Sequence, residues 1–556
     1  MLARRYRIVF PAVAILLTLL TFAPSLENEF LNWDDSTNFL QNNAYRGLGW
    51  TQLKWMWTSH LIGRYVPLTW MTLGLDYTIW KMNPFGYHLT NLLFHLANAL
   101  VFYFLALALY RIVRPSPSSE SEVTPWLAAL IAALVFAVHP LRVESVSWVT
   151  ERRDVVSGLF YLLTLFVYVR GFDGSDRPIR RKNYWLSLGF FALALLSKEI
   201  VVTLPVILIL LDLYPLRRIG DGPGRWTGQA VRGVWLEKLP FFALTFADTA
   251  WALYIAQHEN SYASLANLGW PSRITAAIYS LGFYLWKTIA PVGLVPFYAM
   301  SPHRIDPWGA PVLISAAAIV SLSAAAIALW RKFPALLVIW LGYAVTLIPV
   351  LGLLDNGPQI TADRYSYLAC LGWALLAGSI MLFWKKDRRP WLLPSAAGVV
   401  VLVLLTLCWR QGLIWRDSET LWTYTLATEP SFLAYVNMGN VLMDRGDYLW
   451  AADHFRRAAE LKPDFPSAHL GLGGAFISLN RPQEAEREFR IALTLGQSPE
   501  FAENGLACAL ALNGKLDEAI THFNEALRIR PTYIDARNNL QQVINRKKKL
   551  AEKGGG

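Results

Sequence analysis

Charge and cysteine are both scarce in this chain: 16% of its 556 residues are charged and three are cysteine. Three cysteines exclude a disulfide framework. Cys370 and Cys408 fall within apolar runs and Cys508 within a repeated helix, so all three read as small buried side chains. The shortage of charge, set against 54% hydrophobic residues, 24 Trp and 23 Tyr, describes a multi-pass membrane protein, because Trp and Tyr collect at the headgroup level. The net charge of +11 does not point to nucleic acid. Lys and Arg stand in short clusters between apolar runs, where membrane topology accounts for them. No small-x-small cleavage site follows the first apolar run, which is therefore expected to stay as a signal anchor.

Apolar segments recur from residue 8 to about 410, near the roughly 20-residue length that a bilayer needs. The clear ones are 8–25, 88–112, 125–140, 154–170, 184–197, 199–214, 238–256, 309–330, 334–353, 364–384 and 391–410. Segment 273–290 fits the count as a re-entrant or interfacial piece. Basic residues mark successive cytoplasmic ends: Arg4, Arg5 and Arg7; Arg111 and Arg114; Arg177, Arg180, Arg181 and Lys182; Arg217, Arg218, Arg225 and Arg232; Arg331 and Lys332; Lys385, Lys386, Arg388 and Arg389. About eleven spans result, with the N-terminus cytoplasmic and the C-terminal part outside. The expected location is the inner (cell) membrane.

After residue 410 the pattern changes to a period of 34 residues. Gly439, Gly473 and Ala507 align, as do Ala451, Ala485 and Ala519; Phe455, Phe489 and Phe523; and Ala458, Ala492 and Ala526. Small residues at these offsets let paired helices approach while the Phe fills the space between them. This is a tetratricopeptide array. The expected organisation is a membrane domain over 1–410, a linker helix or partial repeat over 411–431, and repeats over 432–466, 467–500 and 501–534. A capping helix to 545 and a basic disordered tail over 546–556 complete it.

With this topology, polar clusters gather on the external face. They are Asp34-Asp35; Arg64; His88; His139, Arg142 and Glu144; Glu151, Arg152, Arg153 and Asp154; Lys198-Glu199; and Asp363-Arg364. Moving a sugar from a lipid phosphate to a hydroxyl needs a carboxylate to take the acceptor's proton. It also needs fixed cations for the charge that grows on the departing phosphate. Asp34 or Asp35 suits the first task, and Arg64, Arg142, Arg152, Lys198 and Arg364 suit the second. Each also has a plain structural reading. The acid pair is equally a solvated turn or helix N-cap, and Asp154 an N-cap. Arg152 and Arg153 can snorkel to headgroups. Lys198-Glu199 reads as an interfacial charge pair, and Asp363-Arg364 as a pair across a turn. His88 and His139 lack metal-ligand spacing.

The ordered motifs resemble a known family. Trp-Asp-Asp at 33–35, Arg-Tyr-Val-Pro-Leu at 64–68, Gly-Tyr-His-Leu-Thr-Asn at 86–91, His-Pro-Leu-Arg-Val-Glu at 139–144, Arg-Arg-Asp at 152–154, Lys198-Glu199 and Asp363-Arg364-Tyr365 follow the order and spacing of the transmembrane-and-tetratricopeptide O-mannosyltransferases. The resemblance covers nearly the whole chain. It implies an all-α fold, a multi-pass GT-C-type glycosyltransferase domain followed by a tetratricopeptide α-solenoid. It also implies inverting, single-displacement transfer from a polyprenyl-phosphate sugar to Ser or Thr of an acceptor protein. The acidic motif of the first external loop maps onto Asp34 and Asp35. The expected donor-phosphate and substrate-binding residues are Arg64, His88, His139, Arg142, Glu144, Arg152, Arg153, Asp154, Lys198, Glu199, Asp363 and Arg364. The chain departs from eukaryotic members in having about three repeats, the minimum for a stable stack. It also has no Asn-x-Ser/Thr sequon, which favours a bacterial origin.

The expected partners are therefore the lipid-linked sugar, membrane lipids and an acceptor protein held by the repeats, with no nucleic acid. No cofactor is required. Asp34-Asp35 offers a divalent ion too few oxygens, so metal dependence is not favoured. The alternative is a membrane-anchored scaffold that recruits envelope proteins through its repeats without catalysis. A lipid-linked-sugar transporter ranks lower, because such proteins carry charge near the midplane, whereas here it sits at span ends.

Overall fold

The computed structural model describes residues 2–114, 123–172, 174, 179–220, 226–258, 269–353, 359–383, 391–496 and 498–554. Arg177, Arg225, Lys385, Lys386, Arg388 and Arg389, used above to set topology, lie outside them. Two compact units make up the chain, Met1–Asp417 and Ser418–Gly556.

Proline opens many helices of the first unit, where its missing N–H costs nothing. The unit begins with α1 (Leu2–Phe22), α2 (Trp50–Thr58), α3 (Pro67–Trp80), α4 (Pro84–Val113), α5 (Val123–Ala137) and α6 (Val143–Ser147). Next come α7 (Arg152–Arg170), α8 (Arg181–Leu195), α9 (Leu204–Leu213), α10 (Gln229–Leu236), α11 (Leu239–His258) and α12 (Trp270–Ile289). It closes with α13 (Pro302–Ile305), α14 (Ala310–Ala328), α15 (Pro334–Leu347), α16 (Ser366–Ala369), α17 (Leu371–Ser379) and α18 (Leu392–Ile414). Among the described residues the unit's regular structure is helical but for one short antiparallel pair, β1 (Tyr298–Ala299) with β2 (Gln359–Thr361).

Among the described residues four helices are long and apolar enough to cross a bilayer: Tyr6–Glu27, Pro84–Val113, Ala310–Ala328 and Leu392–Ile414. Two bent pairs, Val123–Ala137 with Pro140–Ser147 and Asp363–Ala369 with Leu371–Phe383, raise the number to six if each is one span. The other expected spans are helical but do not reach that length and hydropathy, so by length and composition the described residues give four to six spans beside the expected eleven. They pack on protein neighbours, such as α7 between α4 and α8, and need not be apolar on every side. In α18, Val399, Val400, Leu402 and Val403 remain largely exposed, as lipid-facing side chains do. Segment 273–290 belongs to α12, an unbroken helix of 20 residues, so it does not turn back as a re-entrant piece.

Helix α7 organises the unit's polar interior. Its 19 residues span about 28 Å, close to a bilayer's hydrocarbon core. Its first turn carries Arg152, Arg153 and Asp154. Near its other end, Tyr168 donates to Asp212 Oδ2 at 2.7 Å. Asp212 also pairs with Arg218 at 3.0 Å and Lys238 at 2.6 Å, while Arg218 reaches Glu237 at 2.8 Å. Arg218, expected to mark a cytoplasmic end, is buried in this cluster, where its two terminal nitrogens meet Tyr168, Asp212 and Glu237.

The second unit opens with α19 (Ser418–Thr428), whose Leu421 and Trp422 are buried. Three hairpins follow: α20 (Phe432–Arg445) with α21 (Tyr448–Leu461), α22 (Pro466–Ser478) with α23 (Pro482–Thr494), and α24 (Pro499–Leu512) with α25 (Leu516–Ile529). The aligned Ala and Phe columns are all buried. A Cβ on Gly439 would meet the Phe455 ring at 2.7 Å, and one on Gly471 would meet it at 2.3 Å. Phe455 is thus clamped between a glycine of its own repeat and one of the next, as Phe489 is between Gly473 and Gly505. Helix α26 (Ile534–Gly554) caps the stack. The stretch expected as a disordered tail continues this helix to Gly554. Arg546 donates to the Ala511 carbonyl at 3.1 Å and Lys547 pairs with Asp517, contacts that offset the repulsion within the basic run.

Candidate active site

The first external loop is held down by an apolar cluster of Phe39, Tyr45, Met56, Val66, Trp70, Leu73, Tyr87 and Val149. Just after the acid pair the chain makes a π-turn over Ser36–Leu40, in which Gln41 N–H donates to the Ser36 carbonyl at 3.0 Å. Such insertions recur at functional sites because they re-aim the side chains beside them. Trp33 stacks on Trp148 with centroids 4.4 Å apart, and Trp148 in turn meets Trp415 at 6.0 Å.

The two adjacent carboxylates do different things. Asp35 is fully buried. Its Oδ2 accepts from Leu31 N–H at 3.0 Å. Its Oδ1 accepts from both Thr150 N–H at 3.2 Å and the Thr150 hydroxyl at 2.6 Å. It is a tether between the loop and the turn before α7. Asp34 lines a cavity together with Asn38, Arg64, Thr69, Thr150 and Arg153. Burial pushes its pKa up, opposed by Arg64 and then Arg364.

Burial also pushes the Asp35 carboxyl up to about 7, against the hydrogen bonds from Leu31 and Thr150. Folded protein then holds a proton that the unfolded chain releases near 3.8. This contribution to stability is complete below about pH 4 and is lost as pH rises towards about 7. Asp35→Asn lacks it and also sets an NH2 against an N–H donor. Its thermal midpoint should lie below wild type, with the gap narrowing as pH rises through that window. A widening gap would mean that Asp35 is ionised in the fold.

Behind the cavity lies a buried ion network centred on Glu151. Arg153 reaches Glu151 at 2.5 Å, Lys198 at 3.0 Å and Arg364 Nε at 3.3 Å. Lys198 also pairs with Asp154 at 2.5 Å, and Ser145 donates to that carboxylate at 3.0 Å. Arg364 forms an ion pair with Glu144, whose other oxygen accepts the Arg364 backbone N–H at 2.8 Å. Burial favours protonation of Glu151, but Lys198, Arg364 and Arg64 outweigh it and hold its pKa low. The network joins Glu144 and Arg364, one from each of the two bent helix pairs and more than 200 positions apart.

Several residues expected to contact substrate are buried inside the fold, most of them with partners there. Arg152 points away to Asp76 at 2.6 Å and to the Tyr87 carbonyl at 2.8 Å, and also pairs with Asn91, tying α3, α4 and α7 together. Its snorkelling alternative fails too, since it is fully buried. His139 accepts from Leu141 N–H at 3.2 Å and lies 3.1 Å from the Thr288 carbonyl, so both ring nitrogens are occupied. His88 is buried, with neither ring nitrogen in a hydrogen bond among the described residues. Arg142 donates to Ser366 at 2.9 Å and lies over the rings of Phe136 and Tyr367. Asp363 accepts from Tyr298 at 3.0 Å and does not close a turn with Arg364. Lys198 leaves its neighbour Glu199 outside the network, so the pair is not an interfacial couple. Asp154 acts as an ion-pair partner, with no side-chain cap bond at the start of α7.

Glu151, Thr150 and Asn38 were missed as site residues. Glu151 adjoins Arg152 and Arg153 and so had a local signal. Thr150 had none, because its role comes from a partner 115 residues away. Asn38, which donates to Thr150 at 3.1 Å, is the same case. Among the described residues no group of three or more His, Cys, Asp or Glu is placed to hold a metal ion.

These features define a helical membrane protein with a buried acid–base site and a C-terminal tetratricopeptide solenoid. A tetratricopeptide repeat model matches residues 436–500, and a TPR repeat model matches 509–543. The chain's homologues are protein O-mannosyl-transferases, which are glycosyltransferases. It is 24% identical to Tmtc3 of Drosophila melanogaster, over 86% of this chain and 59% of that protein. It is 23% identical to human TMTC3 over 88% of this chain and 56% of that protein, and 24% identical to human TMTC1 over 93% and 62%. The chain thus spans less than two thirds of these relatives' own length. Among solved structures, the first TPR domain of human RPAP3 aligns at 24% identity with 22% of this chain and 96% of its own, with a TM-score of 0.21.

Proposed function

We propose that the membrane unit is a protein O-glycosyltransferase that moves a hexose, mannose in keeping with its homologues' names, from a polyprenyl-phosphate donor to Ser or Thr. The reaction is an inverting single displacement at the extracytoplasmic face of the cell membrane. The acceptor oxygen bonds to the anomeric carbon as the bond from that carbon to the phosphate oxygen breaks. Asp34 takes the hydroxyl proton as general base. Arg64 and Arg153 stabilise the charge that collects on the departing lipid phosphate. Lys198 and Arg364 position Arg153 through Glu151. The repeats hold the acceptor protein along their groove.

The observation that carries this reading is the joint lining of one cavity by Asp34, Arg64 and Arg153. Intact-glycoprotein mass spectrometry tests it. A hexose-type mass on Ser or Thr of envelope proteins should appear in a deletion strain complemented with wild type, and not with Asp34→Asn. An unchanged glycoproteome would reject the reading. The donor's single phosphate lacks a pyrophosphate to neutralise, so transfer by purified protein is expected to survive a chelator such as EDTA.

A further inference from the structure

We infer that the first tetratricopeptide repeat rests on the lipid surface through Leu449 and Trp450. These open α21 and are 69% and 66% exposed, although both are large and apolar. The repeat period itself shows that the position does not demand such residues. One period on, the same places hold Gln483 and Glu484; two periods on, Asp517 and Glu518. Only the first repeat, the one joined to the membrane unit, carries an apolar pair there.

Chain connectivity supplies the occupant. Helix α18, of membrane length and apolar, ends at Ile414, and α19 begins at Ser418. Glu419 lies five residues beyond Ile414, so it sits within about 17 Å of the helix end even if the link is fully extended. Arg445, the last residue of α20, binds Glu419 with both guanidinium branches, Nη1 donating to Oε1 at 2.7 Å. Both side chains are exposed, so the pair contributes little stability. It does hold the α20–α21 turn beside Glu419, near the start of the second unit and a few residues in sequence from the end of α18. An exposed indole and leucine tied this close in sequence to the membrane helix suit the headgroup boundary, where Trp is favoured because its body is apolar and its N–H finds water or phosphate. The surface these two residues fit is therefore a bilayer.

Full-length protein in vesicles of phosphatidylcholine and phosphatidylglycerol tests this. Leu449→Cys, in a Cys508→Ser background, takes a nitroxide; the other two cysteines are buried. Gln483→Cys provides the matched site one repeat later. Power saturation with oxygen and with a soluble nickel chelate reads depth. The label at 449 should favour oxygen over nickel several-fold more than the label at 483. Equal, nickel-dominated accessibility at both sites would overturn the inference. So would shielding of 449 from both reagents, which marks a protein partner or a second copy.

Discussion

Asp34→Asn is expected to lower kcat/KM for sugar transfer by about 10²–10⁴-fold, the usual contribution of a positioned general base. The substitution keeps the side chain's shape and removes its ability to accept the acceptor's proton. Asp34 faces a cavity with two arginines, and its neighbour supplies the tether, so the fold should not depend on it. Thermal midpoint and expression should therefore stay near wild type while turnover collapses. Asp35→Asn should show the reverse emphasis, a lowered midpoint with any rate loss following from a displaced loop. Near-wild-type transfer by folded Asp34→Asn would remove it as the base.

The second large effect concerns stability. Glu151→Ala should destabilise the membrane unit by about 3–5 kcal/mol, the range for breaking a buried ion pair from one side. Arg153, Lys198 and Arg364 all lean on this one carboxylate, and its removal leaves them facing each other in a region from which water is excluded. Asp154 and Glu144 then balance only Lys198 and Arg364. Removing charge in matched amounts should be milder: Glu151→Gln with Lys198→Met is expected to recover part of the loss seen in Glu151→Gln alone. Thermal unfolding in one detergent across the set provides the measurement. A Glu151→Ala protein as stable as wild type would show that the network is solvated and has no structural weight.

Much of this molecule was readable before its structure. The repeats were, because register columns such as Phe455, Phe489 and Phe523 recur at one period and need only their nearest neighbours for packing. The external polar clusters were also visible as candidates, since charge is rare here and stands out against apolar runs. Their division of labour was not. Asp34 and Asp35 are indistinguishable in one dimension, and both Arg152 and Arg153 follow Glu151. The rotation of about 100° between successive helical residues sends Arg152 to Asp76 and Arg153 to Glu151.

The sequence by itself determined that the chain is helical, enters a membrane and ends in a tetratricopeptide stack. Those properties rest on composition and on short-range periodicity, which each segment carries alone. Only the tertiary structure decided that Arg218 is buried, that Glu151 anchors three cations, and that Asp34 rather than Asp35 faces the cavity. Each of those depends on partners brought from distant segments, and a charge's role is set by which partners surround it once water is gone.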